Sequence, residues 1–257
     1  MPVSEPSISL QNIIRQYGAV RAVDDLSLDI AAGSLVALVG LSGSGKSTLL
    51  KMINRLVDPT SGTIRIGDEL VDSIDPHILR RRIGYVFQNI GLFPHMTIAR
   101  NIAIGLELAG DTEGRKERVA ELLDLVELPQ EMATRMPDQL SGGQQQRVGF
   151  ARALATKPGL MLMDEPFGAL DPVTRDNLTE QYKKLHQRLG LTTIIVTHDM
   201  AEALYLADRI LVMEAGQIRA DATPAELLSG KAGDEAEALV AIPRAQAAHL
   251  IELSKST

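Results

Sequence analysis

The pattern of apolar residues divides the chain into strand-like and helix-like stretches. Apolar runs of strand length occur at residues 35–39, 160–163 and 192–197, and each is typical of a buried strand. Residues 7–30 are also strand-like, but they end in apolar/polar alternation that predicts a half-exposed antiparallel strand. Residues 209–213 and 217–220 predict a hairpin.

Between about residues 89 and 158 the pattern becomes helical. Val119, Leu122, Leu123 and Val126 recur at helical spacing and form one apolar face, which indicates packing against a core. We therefore expect a helical subdomain inserted into one α/β domain that spans residues 1–230. Residues 231–257 form an alanine-rich tail to which the sequence assigns no role.

Composition excludes some functions and leaves the rest open. The 257 residues carry a net charge of −7, which argues against broad attraction to nucleic acid, so no nucleic-acid partner is expected. No window approaches the roughly 18 consecutive apolar residues of a membrane span, and the N-terminus lacks the regions of a signal peptide, so a cytosolic location is expected. The absence of cysteine excludes disulfides and thiolate metal sites.

A glycine-rich loop follows the first buried strand. Residues 40–47 read GLSGSGKS and match G-x-x-x-x-G-K-[ST] between a strand and a helix predicted to begin at Lys46. Such a loop turns backbone N–H groups toward phosphate oxygens, while Lys46 can reach the β- and γ-phosphates and Ser47 can ligate Mg²⁺. The residues predicted to bind a nucleoside triphosphate are Gly40, Leu41, Ser42, Gly43, Ser44, Gly45, Lys46, Ser47 and Thr48.

Two later strands deliver polar groups at their carboxyl ends, where open α/β sheets bind ligands. Asp164 and Glu165 follow one of them; Asp164 can hold Mg²⁺, and Glu165 can orient or deprotonate an attacking water. His198 follows the other, and its matching position favours a γ-phosphate contact over an ordinary surface histidine.

For two further features the sequence leaves two interpretations open. Ser141, Gly142 and Gly143 precede a predicted helix, so this helix N-terminus either binds phosphate or is simply capped by serine. Tyr17 either stacks on a base or is a tyrosine at a sheet edge.

Taken together, these stretches resemble the ATPase subunits of ATP-binding-cassette (ABC) transporters from about residue 8 to residue 228. The most specific match is LSGGQ at residues 140–144, the signature motif of that family, which a phosphate-loop kinase should lack. The resemblance implies an α/β fold: a phosphate-loop ATPase core with a mixed parallel sheet, an N-terminal antiparallel β subdomain and an inserted helical signature subdomain. It also implies ATP and Mg²⁺ as cofactors.

The resemblance further implies roles for single residues. Tyr17 resembles the adenine-stacking aromatic, Gln88 the glutamine that senses Mg²⁺ and the membrane subunit, and His198 the switch histidine. Asp171 ends the loop at residues 169–171 that contacts a partner subunit in this family.

Two ATPase subunits of this family face each other head to tail. Ser141 and Gly143 of one copy are then implied to close on the γ-phosphate that Lys46 of the other copy holds. A second copy of this chain is therefore an expected partner.

A finer resemblance points to bacterial importers of quaternary-amine osmoprotectants such as glycine betaine, choline or carnitine. It rests on residues 52–56, 90–98 and 165–176, whereas Arg100 stands where such importers commonly carry glutamate. It implies a membrane-spanning permease subunit as partner, a substrate-binding protein acting indirectly, and a peripheral position on the cytoplasmic face of the inner membrane. The alternatives are an importer of another small solute and a soluble ABC ATPase acting on DNA or ribosomes.

Overall fold

The computed structural model describes residues 6–111 and 113–229 together with Ala241. Its strands are β1 (Ile8–Tyr17), β2 (Val20–Ile30), β3 (Leu35–Val39), β4 (Ser61–Ile66), β5 (Glu69–Leu70), β6 (Ile83–Val86), β7 (Leu160–Asp164), β8 (Thr192–Thr197), β9 (Arg209–Glu214) and β10 (Gln217–Ala222). Its helices are α1 (Lys46–Ile53), α2 (Pro76–Arg82), α3 (Ile98–Ala109), α4 (Arg115–Leu125), α5 (Gly142–Leu154), α6 (Pro172–Leu189), α7 (Met200–Leu206) and α8 (Pro224–Leu228). Within this described part, no helix combines the length and the apolar character that crossing a membrane requires.

Two sheets form the framework. The larger has the strand order β10-β9-β3-β8-β7-β6, in which the strands from β9 to β6 pair in parallel and β10 adds an antiparallel edge. The smaller is antiparallel with the order β2-β1-β4-β5. This architecture confirms the predicted α/β class, with its mixed parallel sheet and N-terminal antiparallel sheet.

The central strands read as continuous apolar runs because both faces of the larger sheet are covered. In β3, Leu35, Ala37 and Val39 belong to one hydrophobic cluster, which includes buried residues of α3, α4 and α5. The alternating Val36 and Leu38 belong to a second cluster, which includes buried residues of the antiparallel sheet and α1. Strand β3 is thereby fixed between two cores, and so is the start of the loop that follows it.

After a loop at residues 87–97, helices and short 3₁₀ turns account for most of the described residues before β7. The predicted apolar face is buried here: the four members of the stripe, Val119, Leu122, Leu123 and Val126, are all at most 7% exposed. The division of the chain at residue 230, and the insert at 89–158, remain predictions. Apart from Ala241, the predicted tail at 231–257 lies outside the described residues.

Side chains cap the starts of two helices near the predicted site residues. The side chain of Ser141 caps α5 in a reciprocal capping box with Gln144, and Asp199 caps α7 by accepting hydrogen bonds from two backbone N–H groups. Strand β6 ends at Val86, two residues before Gln88.

Candidate active site

Four neighbouring parallel strands direct their carboxyl ends to one edge of the larger sheet. In the order β3, β8, β7 and β6, they lead into the glycine-rich loop, His198, the Asp164–Glu165 pair and Gln88. Parallel strands end on the same side of a sheet, so groups far apart in sequence converge there. The structure thus brings most of the predicted site residues to one edge.

The glycine-rich loop fits tightly between β2 and β9. Gly40 has φ 150° and Gly45 has φ 105°, a region that disfavours residues with a Cβ. A Cβ on Gly40 would lie 2.1 Å from the carbonyl oxygen of Met213, and one on Gly45 would lie 2.1 Å from that of Ala22. Both glycines are therefore required by close backbone approach as well as by φ.

Lys46 lies buried at the start of α1 and folds back over the loop. Its ammonium donates to the carbonyl oxygens of Gly40 at 2.8 Å and Leu41 at 2.7 Å, and to Ser44 Oγ at 3.2 Å. Burial lowers the pKa of Lys46, and the carboxylates of Glu165 and Asp164 oppose that shift. The ammonium of Lys46 is thus held against the glycine-rich loop.

An oxygen pair lies between α1 and β7. Ser47 Oγ donates to Asp164 Oδ1 at 2.8 Å. A hydroxyl and a carboxylate are hard oxygen ligands, and Mg²⁺ usually takes only one or two protein ligands beside substrate phosphates, so these two residues fit that ion. Tyr85 lies nearby on β6: burial raises the pKa of its phenol, with a further contribution from the charge of Asp164.

Glu165 lies where three strand ends meet. Its Oε2 accepts from Gln88 Nε2 at 2.9 Å and lies 3.3 Å from His198 Nδ1. Its backbone has φ 46°, uncommon for a residue other than glycine, and its N–H donates to the carbonyl oxygen of Val196 at 2.9 Å. Contacts with neighbouring strands therefore hold Glu165 in a backbone conformation that costs free energy. Strained residues of this kind cluster at functional sites.

The signature segment forms a separate helix N-terminus. Ser141 Oγ accepts from the backbone of Gln144 at 3.3 Å, so the N-cap interpretation accounts for its side chain. A Cβ on Gly143 would lie 2.6 Å from Thr174 Cγ2, and one on Gly142 would lie 3.8 Å from Leu170. Among the described residues, no hydrogen bond joins this segment to the phosphate loop; its phosphate contact remains a prediction.

The two remaining predicted residues are exposed. Tyr17 ends β1 with 46% of its surface accessible, and the Arg15 guanidinium lies 4.3 Å from the centre of its ring. Asp171 caps α6 by accepting from the backbone of Thr174 at 3.1 Å, and hydrogen bonding with Thr174 lowers the pKa of this carboxyl.

One contact that sequence reasoning missed connects the signature helix to the Gln88 segment. Arg152, on α5, donates to the carbonyl oxygen of Gly91 at 2.7 Å and to that of Ile90. Burial lowers the pKa of this guanidinium. Arg152 is the only basic residue of the last turn of α5, and nothing in the local sequence marks it as a link to residues some sixty positions earlier.

A second missed residue is Glu202, in the first turn of α7. Its Oε2 accepts from Thr197 Oγ1 at 3.2 Å, whereas its buried Oε1 has no hydrogen-bond partner in the described structure. Burial, reinforced by the negative charge of Asp199, raises the pKa of Glu202 to about 8. Nothing in the local sequence distinguishes Glu202 from an ordinary acid at a helix start, and only the packing of α7 shows that it is buried.

Comparison with known proteins identifies the family. A family profile described as ABC transporter matches residues 23–168, more than half of the chain. The chain belongs to the ABC transporter family. It is 51% identical to the glycine betaine/carnitine/choline transport ATP-binding protein OpuCA of Bacillus subtilis (strain 168), over 91% of this chain and 62% of that protein. It is 48% identical to the glycine betaine uptake system ATP-binding protein YehX of Escherichia coli (strain K12), over 88% of this chain and 74% of that protein. The predicted resemblance to this group is confirmed.

A solved structure supports the same assignment of fold. The ATP-binding cassette MJ0796, a dimer in a post-hydrolysis state bound to ADP and Pi, superposes with a TM-score of 0.75 at 35% identity, covering 84% of this chain and 98% of that one. The present chain therefore shares its fold with a cassette that forms a dimer and binds nucleotide.

The environment of Glu202 predicts a pH-dependent stability. The folded protein binds this proton more tightly than the unfolded chain, so the stabilisation from protonation is complete below pH about 4.5 and is lost as pH rises through about 8. Glu202→Gln removes the charge at nearly constant shape. We expect its free energy of unfolding to match the wild type near pH 5 and to exceed it by roughly 2–5 kcal/mol near pH 9.

Urea denaturation of both proteins from pH 5 to pH 9 measures this difference. Glu180→Gln is the matched control, because Glu180 is exposed on α6 and paired with Lys184 at 2.7 Å. The free energy of unfolding of Glu180→Gln should not rise relative to that of the wild type as the pH increases. Parallel wild-type and Glu202→Gln profiles would show that Glu202 is charged in the native protein.

Proposed function

We propose that this chain is the ATP-hydrolysing subunit of a membrane importer. The observation that carries the proposal is the convergence at one sheet edge of the phosphate loop, the Ser47–Asp164 pair and Glu165 with its two neighbours. Phosphoryl transfer requires chiefly positioning and charge stabilisation, and these groups supply both. The ABC relatives support the same conclusion.

The phosphate loop and Lys46 would bind the triphosphate. Lys46 reaches the β- and γ-phosphates by exchanging its loop carbonyl partners for phosphate oxygens, which are stronger acceptors for an ammonium. Ser47 and Asp164 would hold Mg²⁺, which when bound neutralises charge on the phosphate oxygens. Tyr17 would stack on adenine through the ring face that Arg15 leaves free.

Glu165 would position and deprotonate the attacking water. Gln88 Nε2 fixes the orientation of its carboxylate, and His198, 3.3 Å away, can contact the γ-phosphate and stabilise charge in the transition state. Hydrolysis cleaves the bond between the γ-phosphorus and the β–γ bridging oxygen, yielding ADP and inorganic phosphate. The strained backbone of Glu165 supports this assignment.

A second copy of the chain would complete the site. Ser141 and Gly143 of one copy would close on the γ-phosphate held by Lys46 of the other, with Asp171 at the contact between them. The dimeric state of the similar cassette supports this arrangement. Product release would then reopen the dimer.

The transported solute is proposed to be a quaternary-amine osmoprotectant. OpuCA is a glycine betaine/carnitine/choline transport protein and YehX belongs to a glycine betaine uptake system. This chain matches 62% of the length of OpuCA. In this proposal the chain sits on the cytoplasmic face of the membrane, binds a permease subunit directly and serves a substrate-binding protein indirectly. An importer of another small solute would need the same catalytic groups, because the ATPase subunit never touches the solute.

Glu165→Gln tests the catalytic assignment. Glutamine keeps the shape of the side chain but removes the base, so we expect ATP affinity to stay within about twofold of wild type and turnover to fall at least about 100-fold. ATP should then trap a stable dimer, detected by light scattering after gel filtration. Glu180→Gln, on the exposed face of α6, should hydrolyse ATP like the wild type; near wild-type turnover of Glu165→Gln would refute the role.

Uptake measurements test the solute. A deletion strain that lacks other uptake routes should lose import of labelled glycine betaine, choline or carnitine and should fail to be rescued by that compound after osmotic upshift. Returning the wild-type gene should restore both, and the Glu165→Gln gene should not. Unchanged uptake of all three compounds on deletion would contradict the assigned solute while leaving the ATPase assignment intact.

A further inference from the structure

A single arginine connects the loop at residues 169–171 to the segment that carries His198. Arg175, in the first turn of α6, donates through Nη2 to the carbonyl oxygen of Leu170 at 3.1 Å. Through Nη1 it pairs with Asp199 Oδ2 at 3.2 Å. Its two terminal nitrogens thus contact the residue before Asp171 and the residue after His198.

The connection continues from Asp199 to the reacting groups. Asp199 Oδ1 caps α7 by accepting from Ala201 N at 2.9 Å, and the Asp199 N–H donates to Thr197 Oγ1 at 3.0 Å. His198 lies between these two fixed residues. A displacement of Asp199 must therefore move His198, whose Nδ1 is 3.3 Å from Glu165.

We propose that Arg175 is a positioning residue that sets the place of His198 according to the position of the loop at residues 169–171. The inference rests on the proposed function, in which that loop meets the second copy and His198 contacts the γ-phosphate. Docking of the partner would move Leu170, and Arg175 would carry the movement to Asp199 and His198.

The chemistry of arginine suits this role. A planar guanidinium presents several N–H donors in a fixed fork and can bind a carbonyl and a carboxylate at once, whereas the ammonium of lysine is a compact point charge. The Arg175 and Asp199 side chains are only 28% and 31% exposed, so solvent screens the pair less than a surface ion pair. Buried Arg175 Nε has no hydrogen-bond partner in the described structure, which leaves the guanidinium anchored by its two terminal nitrogens.

The surroundings leave room for movement. A cavity of about 540 Å³ between α6 and α7 is lined by Arg175, Asp199 and Glu202, among others. Side chains in a close-packed interior cannot shift independently of their neighbours, but a side chain beside an open cavity can. The link can therefore follow a shift of the loop at residues 169–171 without repacking the core.

Kinetic variants give the first test. Arg175→Met keeps length and removes the donors, and we expect it to lower kcat about 10- to 100-fold while the KM for ATP changes less than about twofold. Arg175→Lys keeps the charge and should recover part of kcat. Because the two residues act as one unit, Arg175→Met combined with Asp199→Asn should be no slower than the worse single variant. Arg188→Met, at the exposed far end of α6, is the matched control.

The ring resonances of His198 give a second test that does not depend on hydrolysis. In protein with labelled histidine, His198→Gln identifies the His198 signal among those of the five histidines. We expect Arg175→Met to move or broaden this signal and Arg188→Met to leave it unchanged, while both variants keep the wild-type melting temperature within a few degrees.

The outcomes separate the two levels of the proposal. An unmoved His198 signal in Arg175→Met, or additive losses of kcat in the double variant, would overturn the link. A moved signal with wild-type kcat would overturn its role in the reaction. If the wild-type protein hydrolysed no ATP, the proposed function would fail, and the His198 signal would still decide whether Arg175 positions that residue.

Discussion

Parallel pairing of β3, β8, β7 and β6 is the constraint on which the site depends. Each strand ends in a different chemical group, and only their adjacent, parallel arrangement puts a phosphate loop, two carboxylates, a histidine and a glutamine at one edge. Two hydrophobic clusters, one on each face of the sheet, fix that arrangement. A strand shifted by one residue would turn its buried side chains to the opposite face, so the same packing that stabilises the sheet sets the positions of the polar ends.

Backbone contacts around this edge also fix the shape of the phosphate loop. Gly216 N donates to the carbonyl oxygen of Ser44 at 3.0 Å, and Asp24 N donates to that of Gly216 at 2.9 Å. The phosphate loop is therefore tied to the β9–β10 turn and, through it, to the antiparallel sheet. Close approach of Met213 and Ala22 leaves no room for a Cβ at Gly40 or Gly45. A ligand would meet a loop that is already shaped, which reduces the entropy lost on binding.

Much of the fold could be predicted from the sequence because its signals are local. The apolar runs of β3, β7 and β8 and the serine N-cap at Ser141 each depend on residues within one element. Contacts across the fold gave no such signal. Gln88 meets Glu165 across 77 positions, and Arg175 meets Asp199 across 24, so both depend on strand order and helix packing. Glu202 looks like an exposed helical acid until the packing of α7 shows that it is buried.

We propose that one nucleotide is shared between the phosphate loop of one copy and the signature segment of the other. Because the sequence contains no cysteine, a pair introduced at the exposed residues Ser42 and Ser141 reports this contact alone. In the Glu165→Gln background, with ATP and Mg²⁺ present, oxidation or a short thiol cross-linker should join two chains into a covalent dimer, and it should do so far less without nucleotide. A cross-link within one chain, or none while ATP is bound, would contradict the shared site.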